Sequence, residues 1–226
     1  MSAAEPSSSI DAGIIIRRVV FFILLIGLSL LYLLVTFRGL DSPNGMDQAQ
    51  IAREIARNKS FTTKVLRPVS VWQNGEIREA EPVIKNSNRD TYHAPLHPVL
   101  LSWALKLVGG DDADKWRMTE TDTVYKLDRV IAATAVICFL MAIGVNYLLI
   151  SRIFDPKIGG VTALLMLLCD LNWKFSQTGL PQMFMLLLFS CACLFAYKAI
   201  EASSEGRIAL IPVSYTHLTL PTNCVV

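Results

Sequence analysis

Asp47 lies ten residues beyond Phe37, the end of an uncharged apolar stretch, and at the start of a helical run, Met46-Asp-Gln-Ala-Gln-Ile-Ala-Arg-Glu-Ile-Ala-Arg-Asn58. A carboxylate held just outside a bilayer, beside a membrane helix, is placed for chemistry on a substrate that a lipid carries. It also has a plainer use. With Asn44 as N-cap, Asp47 falls at the third helical position, where a negative charge stabilises the helix end by about 0.3–1 kcal/mol. His93 and His97 are four residues apart. Pro95 and Pro98 interrupt a regular helix there, which argues against a shared metal and leaves His93 as a loop histidine. Arg129 stands directly before an apolar run, where an arginine anchors at lipid headgroups. Asp111-Asp112-Ala-Asp114 follows Gly109-Gly110 and reads as a flexible acidic turn rather than a cation loop. No cysteine spacing suggests a metal site or a disulfide framework. Cys138, Cys169, Cys191 and Cys193 lie in apolar runs, and residues two apart on a helix, such as Cys191 and Cys193, point in different directions.

The elements that would hold these residues follow from hydropathy. Of 226 residues, 53% are hydrophobic and 18% charged, and the mean hydropathy is +0.44. That is a membrane protein with a sizeable aqueous segment; a net charge of +2 is too balanced for a nucleic-acid binder. The expected fold is mainly α: a polytopic bundle of about four spans with a long extracytoplasmic loop. Residues 1–18 read as a cytoplasmic tail ending in Arg17-Arg18, and 19–37 as an uncleaved first span whose flanking charges keep the N-terminus inside. Residues 38–129 form the outer loop, with 14 Lys/Arg against 13 Asp/Glu, and are long enough to translocate regardless of charge. Spans follow at 130–150, 158–173 (short) and 175–197, then a cytoplasmic segment, 198–211. Within the loop, Met46–Asn58 and Pro98–Val108 are expected as juxtamembrane helices, the second interfacial because Trp103 and Lys106 favour headgroups. Between them, short Val/Ile/Trp runs broken by Asn74-Gly75 suggest a small β-hairpin. Residues 212–226 are unrelated to what precedes them and resemble a translated sequencing adapter, so they are set aside, His217 and Cys224 with them, and the natural protein is expected to continue differently.

Four segments in order carry a family resemblance. Met46 to Phe61 resembles the first-loop motif of C-type integral-membrane glycosyltransferases, in particular bacterial relatives of protein mannosyltransferases and of the lipid A aminoarabinose transferase. Ala94-Pro-Leu-His-Pro-Val-Leu-Leu101 resembles the family's basic-Pro-Pro-Leu-Tyr segment, and Leu127-Asp-Arg129 the arginine that begins its second helix. Ser176-Gln-Thr-Gly-Leu-Pro-Gln-Met183 is similar to the outer end of its fourth helix. The resemblance covers residues 14 to about 200. It implies inverting transfer of a sugar from a polyprenyl-phosphate donor to an acceptor (protein, lipid or glycan) outside the bacterial cytoplasmic membrane, with no cofactor beyond that donor and the need for a divalent cation left open. By that resemblance Asp47 is the catalytic base, and Gln48, His93, Arg129 and Gln182 are substrate-binding, His93 and Arg129 as cations for the phosphate. An arginine suits phosphate because it stays charged and binds bidentately, whereas a neutral histidine offers one hydrogen bond. Gln48 and Gln182 depart from the family, standing where relatives carry acidic residues. They can hydrogen-bond to sugar hydroxyls but cannot act as bases.

Two other readings compete. A non-catalytic membrane scaffold would use the outer loop to bind a partner. A transporter would carry ionisable residues near the bilayer midplane, and the spans here have none. As relatives have many more spans, the four expected here are not expected to act alone.

Overall fold

In the computed structural model, residues 12–57, 60–65, 88–90, 92–110, 116–117 and 124–204 are described. The Asn74-Gly75 turn, the Asp111–Asp114 cluster and the adapter-like tail lie outside them. The chain is mainly helical. α1 (Ala12–Thr36) is the first apolar helix, and its end bends into Phe37 and Leu40, both buried. α2 (Pro43–Ala56) starts where Pro43 presets the helical φ and the Ser42 hydroxyl accepts from Gly45 N–H at 3.4 Å. Ser42, not Asn44, is therefore the cap. Asp47 falls in the second turn, too far in to serve the helix end, and is buried.

β1 (Thr62–Thr63) pairs antiparallel with β2 (Asn88–Arg89), Thr62 opposite Arg89 and Thr63 opposite Asn88. The pair joins the two ends of the stretch in which the sequence suggests a small β-hairpin, whose Asn74-Gly75 turn lies outside the described residues. α3 (Leu96–Gly109) begins two residues earlier than Pro98, because a proline in the first helical turn removes an N–H that would have no partner anyway. One face of α3 buries Leu101 and Leu105; the other exposes Leu96, Trp103 and Leu107.

α4 (Lys126–Ile153) is the central helix. α5 (Pro156–Leu168) follows a turn capped by Asp155, whose carboxylate accepts from Ile158 N–H at 2.8 Å. α6 (Asp170–Gln177) leaves α5 at an angle of 54°. The expected straight span at 158–173 is thus broken at Cys169, whose backbone is extended. Such a break frees carbonyls, which inside a bilayer need donors. Asn172 Nδ2 donates to Met166 O (3.2 Å) and Trp173 Nε1 to Leu167 O (2.7 Å). α7 (Gln182–Ser204) begins later than the expected residue 175, because Gly179 at φ +76° and Pro181 turn the chain first.

By length and composition, α4 and the Gln182–Ala202 part of α7 can each cross a membrane, and α5 with α6 make a third crossing if the bent pair is one span. The α1 segment Ile23–Thr36 and α3 are shorter apolar helices. Two cores hold the bundle. One joins Leu33, Phe37 and Leu40 to Ala49, Ala52, Ala56, Leu101, Leu105, Leu127 and Ile131. The other surrounds Phe139 with Ala135, Ala142, Ile143, Met183 and Leu187. Trp173 stacks edge-on against Tyr32 (5.3 Å) and Phe139 (5.5 Å), tying α6 to α1 and α4.

α7 starts against the middle of α4, and the ends of α1 and α6 meet at one end of the bundle. There Gln177 Nε2 donates to Thr36 Oγ1 at 3.3 Å, and the turn before α7 rests on α2. A Cβ at Gly45 would sit 1.9 Å from Thr178 O, which only backbone movement could relieve. Gly45→Ala is therefore expected to lower stability in detergent by roughly 1–3 kcal/mol. Gly144→Ala, with nothing within 4 Å of its added Cβ, should cause no loss; equal thermal midpoints for the two variants would contradict this packing.

Candidate functional site

Helix α2 carries the first polar side chains inward. Asp47 is buried, and its Oδ1 accepts the Thr63 hydroxyl at 2.6 Å. Thr63 reaches it because β1 is pinned to β2, with Asp90 N donating to Phe61 O at 3.3 Å just beyond the pair. The chain then turns at Asp90, and that turn delivers His93. The Asp90 carboxylate accepts from the backbone N–H of Tyr92 (3.4 Å) and of His93 (3.0 Å), and Oδ2 also lies 3.0 Å from His93 Nδ1. The same Nδ1 is 3.8 Å from Asp47 Oδ2. Side-chain exposures of 4% for Asp47, 5% for His93 and 1% for Asp90 make this a buried carboxylate–imidazole–carboxylate cluster.

A second polar pair flanks it one residue along α2. His97 Nδ1–H donates to Gln48 Oε1 at 2.6 Å, both side chains are buried, and the His97 ring lies 6.3 Å from that of Phe184 on α7. Burial drives the His97 pKa down from 6.5 to about 4, so this ring is neutral at pH 7. Gln182, at the start of α7, has a buried Oε1 with no hydrogen-bond partner among the described residues.

Asp47 and His93, named from the sequence, thus come together. Gln48 is beside them but spends its oxygen on His97. Arg129 is exposed at the first turn of α4 and makes no hydrogen bond or ion pair among the described residues. Its neighbour Asp128 turns inward instead and pairs with Arg53, whose guanidinium also covers the Tyr125 ring at 4.7 Å. The two histidines four apart have different partners, His93 facing Asp90 and His97 facing Gln48. Among the described residues no group of three His, Cys, Asp or Glu side chains is arranged to hold a metal ion.

Three members of the site were missed from sequence. Asp90 carried a usable signal, since an aspartate three residues before a histidine can accept its N–H in a local turn. His97 has no signal of its own in the sequence beyond its spacing from His93, since Pro95 and Pro98 there suggest an interrupted helix, although a proline in the first turn is compatible with one. Thr63 has no local signal at all, because its role depends on strand pairing 25 residues away.

Comparison with family models, with curated proteins and with solved structures produced no match.

The depressed His97 pKa has a consequence for stability. Between the unfolded value of 6.5 and the folded value of about 4, the unfolded chain binds a proton that the folded chain does not. Stability is therefore full above pH 6.5 and falls as the pH drops toward 4, by roughly 3 kcal/mol at the limit. His97→Gln keeps a donor for Gln48 and should remove that part of the acid sensitivity. Parallel pH dependence of the thermal midpoint in both proteins would contradict it.

Proposed function

We propose that this chain is part of an inverting integral-membrane glycosyltransferase that moves a sugar from a polyprenyl-phosphate donor to an acceptor outside the cytoplasmic membrane. The observation that carries this reading is the buried Asp47 carboxylate, held by Thr63 and faced by His93, at the end of the bundle where the apolar helices converge. A long isoprenoid keeps such a donor in the bilayer, so its phosphate and sugar emerge at the rim, the level at which the ends of α1 and α6 meet. Inversion at the anomeric carbon needs one base on the face opposite the departing phosphate. Asp47 fills that role: it takes the proton of the attacking hydroxyl while the bond to phosphate breaks. Arg129, exposed at the first turn of α4, is at the level of the headgroups and meets the phosphate as a permanent cation.

In this reading α1 and the α5–α6 pair complete four crossings with α4 and α7, and α2, α3 and the β-pair lie on the extracytoplasmic side. The exposed Leu96, Trp103 and Leu107 of α3 supply an interfacial face that rests on lipid.

A scaffold whose loop only binds a partner has no use for such a cluster. Burying two carboxylates against one imidazole is expensive unless their chemistry is needed, and apolar residues of the same volume pack at lower cost.

Expressed from its complete gene, Asp47→Asn is expected to accumulate normally in membranes and to lose sugar transfer by a factor of about 10²–10⁴. Transfer at the wild-type rate would remove Asp47 from the mechanism and return the scaffold reading. The orientation is tested separately. In intact cells, Asp41→Cys, at an exposed position just before α2, should react with a membrane-impermeant maleimide, whereas Lys157→Cys should react only after permeabilisation; the reverse pattern would put the site in the cytosol and exclude an outer-face transferase.

A further inference from the structure

Asp90 uses both carboxylate oxygens on one short turn. Oδ1 accepts from Tyr92 N–H, and Oδ2 accepts from His93 N–H and sits at 3.0 Å from His93 Nδ1. A carboxylate can only accept, so Nδ1 is the ring nitrogen that carries the hydrogen. Asp47 Oδ2, 3.8 Å from that same nitrogen, imposes the same polarity. In a neutral ring the lone pair is then on Nε2. That atom is buried and has no hydrogen-bond partner among the described residues, on a side chain only 5% exposed. A buried acceptor left without a donor is costly, and groups held at that cost are those that a ligand completes.

We propose that His93 Nε2 accepts a hydrogen bond from a hydroxyl of the sugar ligand, with Asp90 as the positioning residue that fixes the ring tautomer. The identity of the ligand rests on the sugar-transfer reading above; the polarity of the ring does not. The assignment differs from a phosphate contact. Phosphate oxygens are acceptors, and a nitrogen lone pair offers them nothing. A hydroxyl is complementary to it, and the ring needs no second proton to bind one. Asp47 keeps its place as base, because Asp90 draws the imidazole N–H away from it: 3.0 Å against 3.8 Å.

Asp90→Asn tests the positioning role. Its amide puts an NH₂ donor in place of one of the two acceptor oxygens, so the group facing Nδ1 can donate to the ring as well as accept from it, and the tautomer is no longer fixed. The ring nitrogens of the whole chain, labelled with ¹⁵N-histidine and inserted in lipid nanodiscs at pH 7.5, report the tautomer directly, with His93→Gln assigning the signals. The expected result is a protonated Nδ1 and an unprotonated Nε2 in the wild type, and a mixture of tautomers in Asp90→Asn. A short-chain polyprenyl-phosphate hexose should shift the Nε2 signal, and the same lipid phosphate without sugar should not. Asp90→Asn should weaken binding of the hexose lipid by about tenfold, the equivalent of one ordinary hydrogen bond, and leave the sugar-free lipid unaffected. A proton found on Nε2, a shift caused by the sugar-free lipid, or binding of the hexose lipid without any change at Nε2 would each overturn the proposal while leaving the transferase reading standing. Binding of neither lipid would overturn both.

Discussion

How closely α2 sits against its neighbours decides everything at this end of the molecule. Gly45, Ala49, Ala52 and Ala56 are all buried and recur at helical spacing, so one face of α2 offers almost no side-chain volume. Small residues let backbones approach. The turn at Thr178 comes in over Gly45, and Leu101 and Leu105 of α3 share a core with Ala49 and Ala52. On the next face, Arg53 pairs with Asp128 and covers Tyr125, while Arg57 donates to Trp116 O at 3.1 Å over the indole ring. Two cations thus lock the C-terminal end of α2 to the start of α4 and to its approach. A bulkier stripe would lift the helix and carry Asp47 away from both Thr63 and His93.

The cluster itself combines a rigid part and an adaptable part. Asp47 and Gln48 ride on a helix clamped on several sides, so their positions are set by packing. Asp90 and His93 come from a short turn whose shape depends on local hydrogen bonds to one carboxylate. Groups held so differently respond differently to substitution: changes in the helix act through the core, whereas changes at Asp90 act on ring orientation and polarity. The neighbouring His97–Gln48 pair is closed upon itself and neutral, and it seals the flank of the cluster against Phe184.

Hydropathy made most of the architecture legible. A mainly helical chain with apolar helices long enough to cross a membrane follows from hydropathy and periodicity, the central one extending from the expected 130–150 to 126–153. What stayed hidden were features that depend on partners distant in sequence. Asp47 was readable as a carboxylate at a membrane edge, but its inward direction depends on the cap being Ser42, a residue whose neighbour Pro43 sets the helix start. Arg129 and Asp128 are adjacent and equally plausible to a reader of the sequence; the helix phase turns the acid inward, to Arg53, and leaves the arginine outside. The break at Cys169 has no glycine or proline to announce it. It exists because Asn172 and Trp173 can replace the lost backbone donors.

That break also changes where the last helix comes down. Eight residues of α6 at 1.5 Å each run for about 12 Å, and a heading 54° off that of α5 carries the chain sideways by about 10 Å, close to one helix diameter. α7 then packs along α4, and Met166 and Leu167 of α5 join the core that Met183 and Leu187 of α7 build with Phe139.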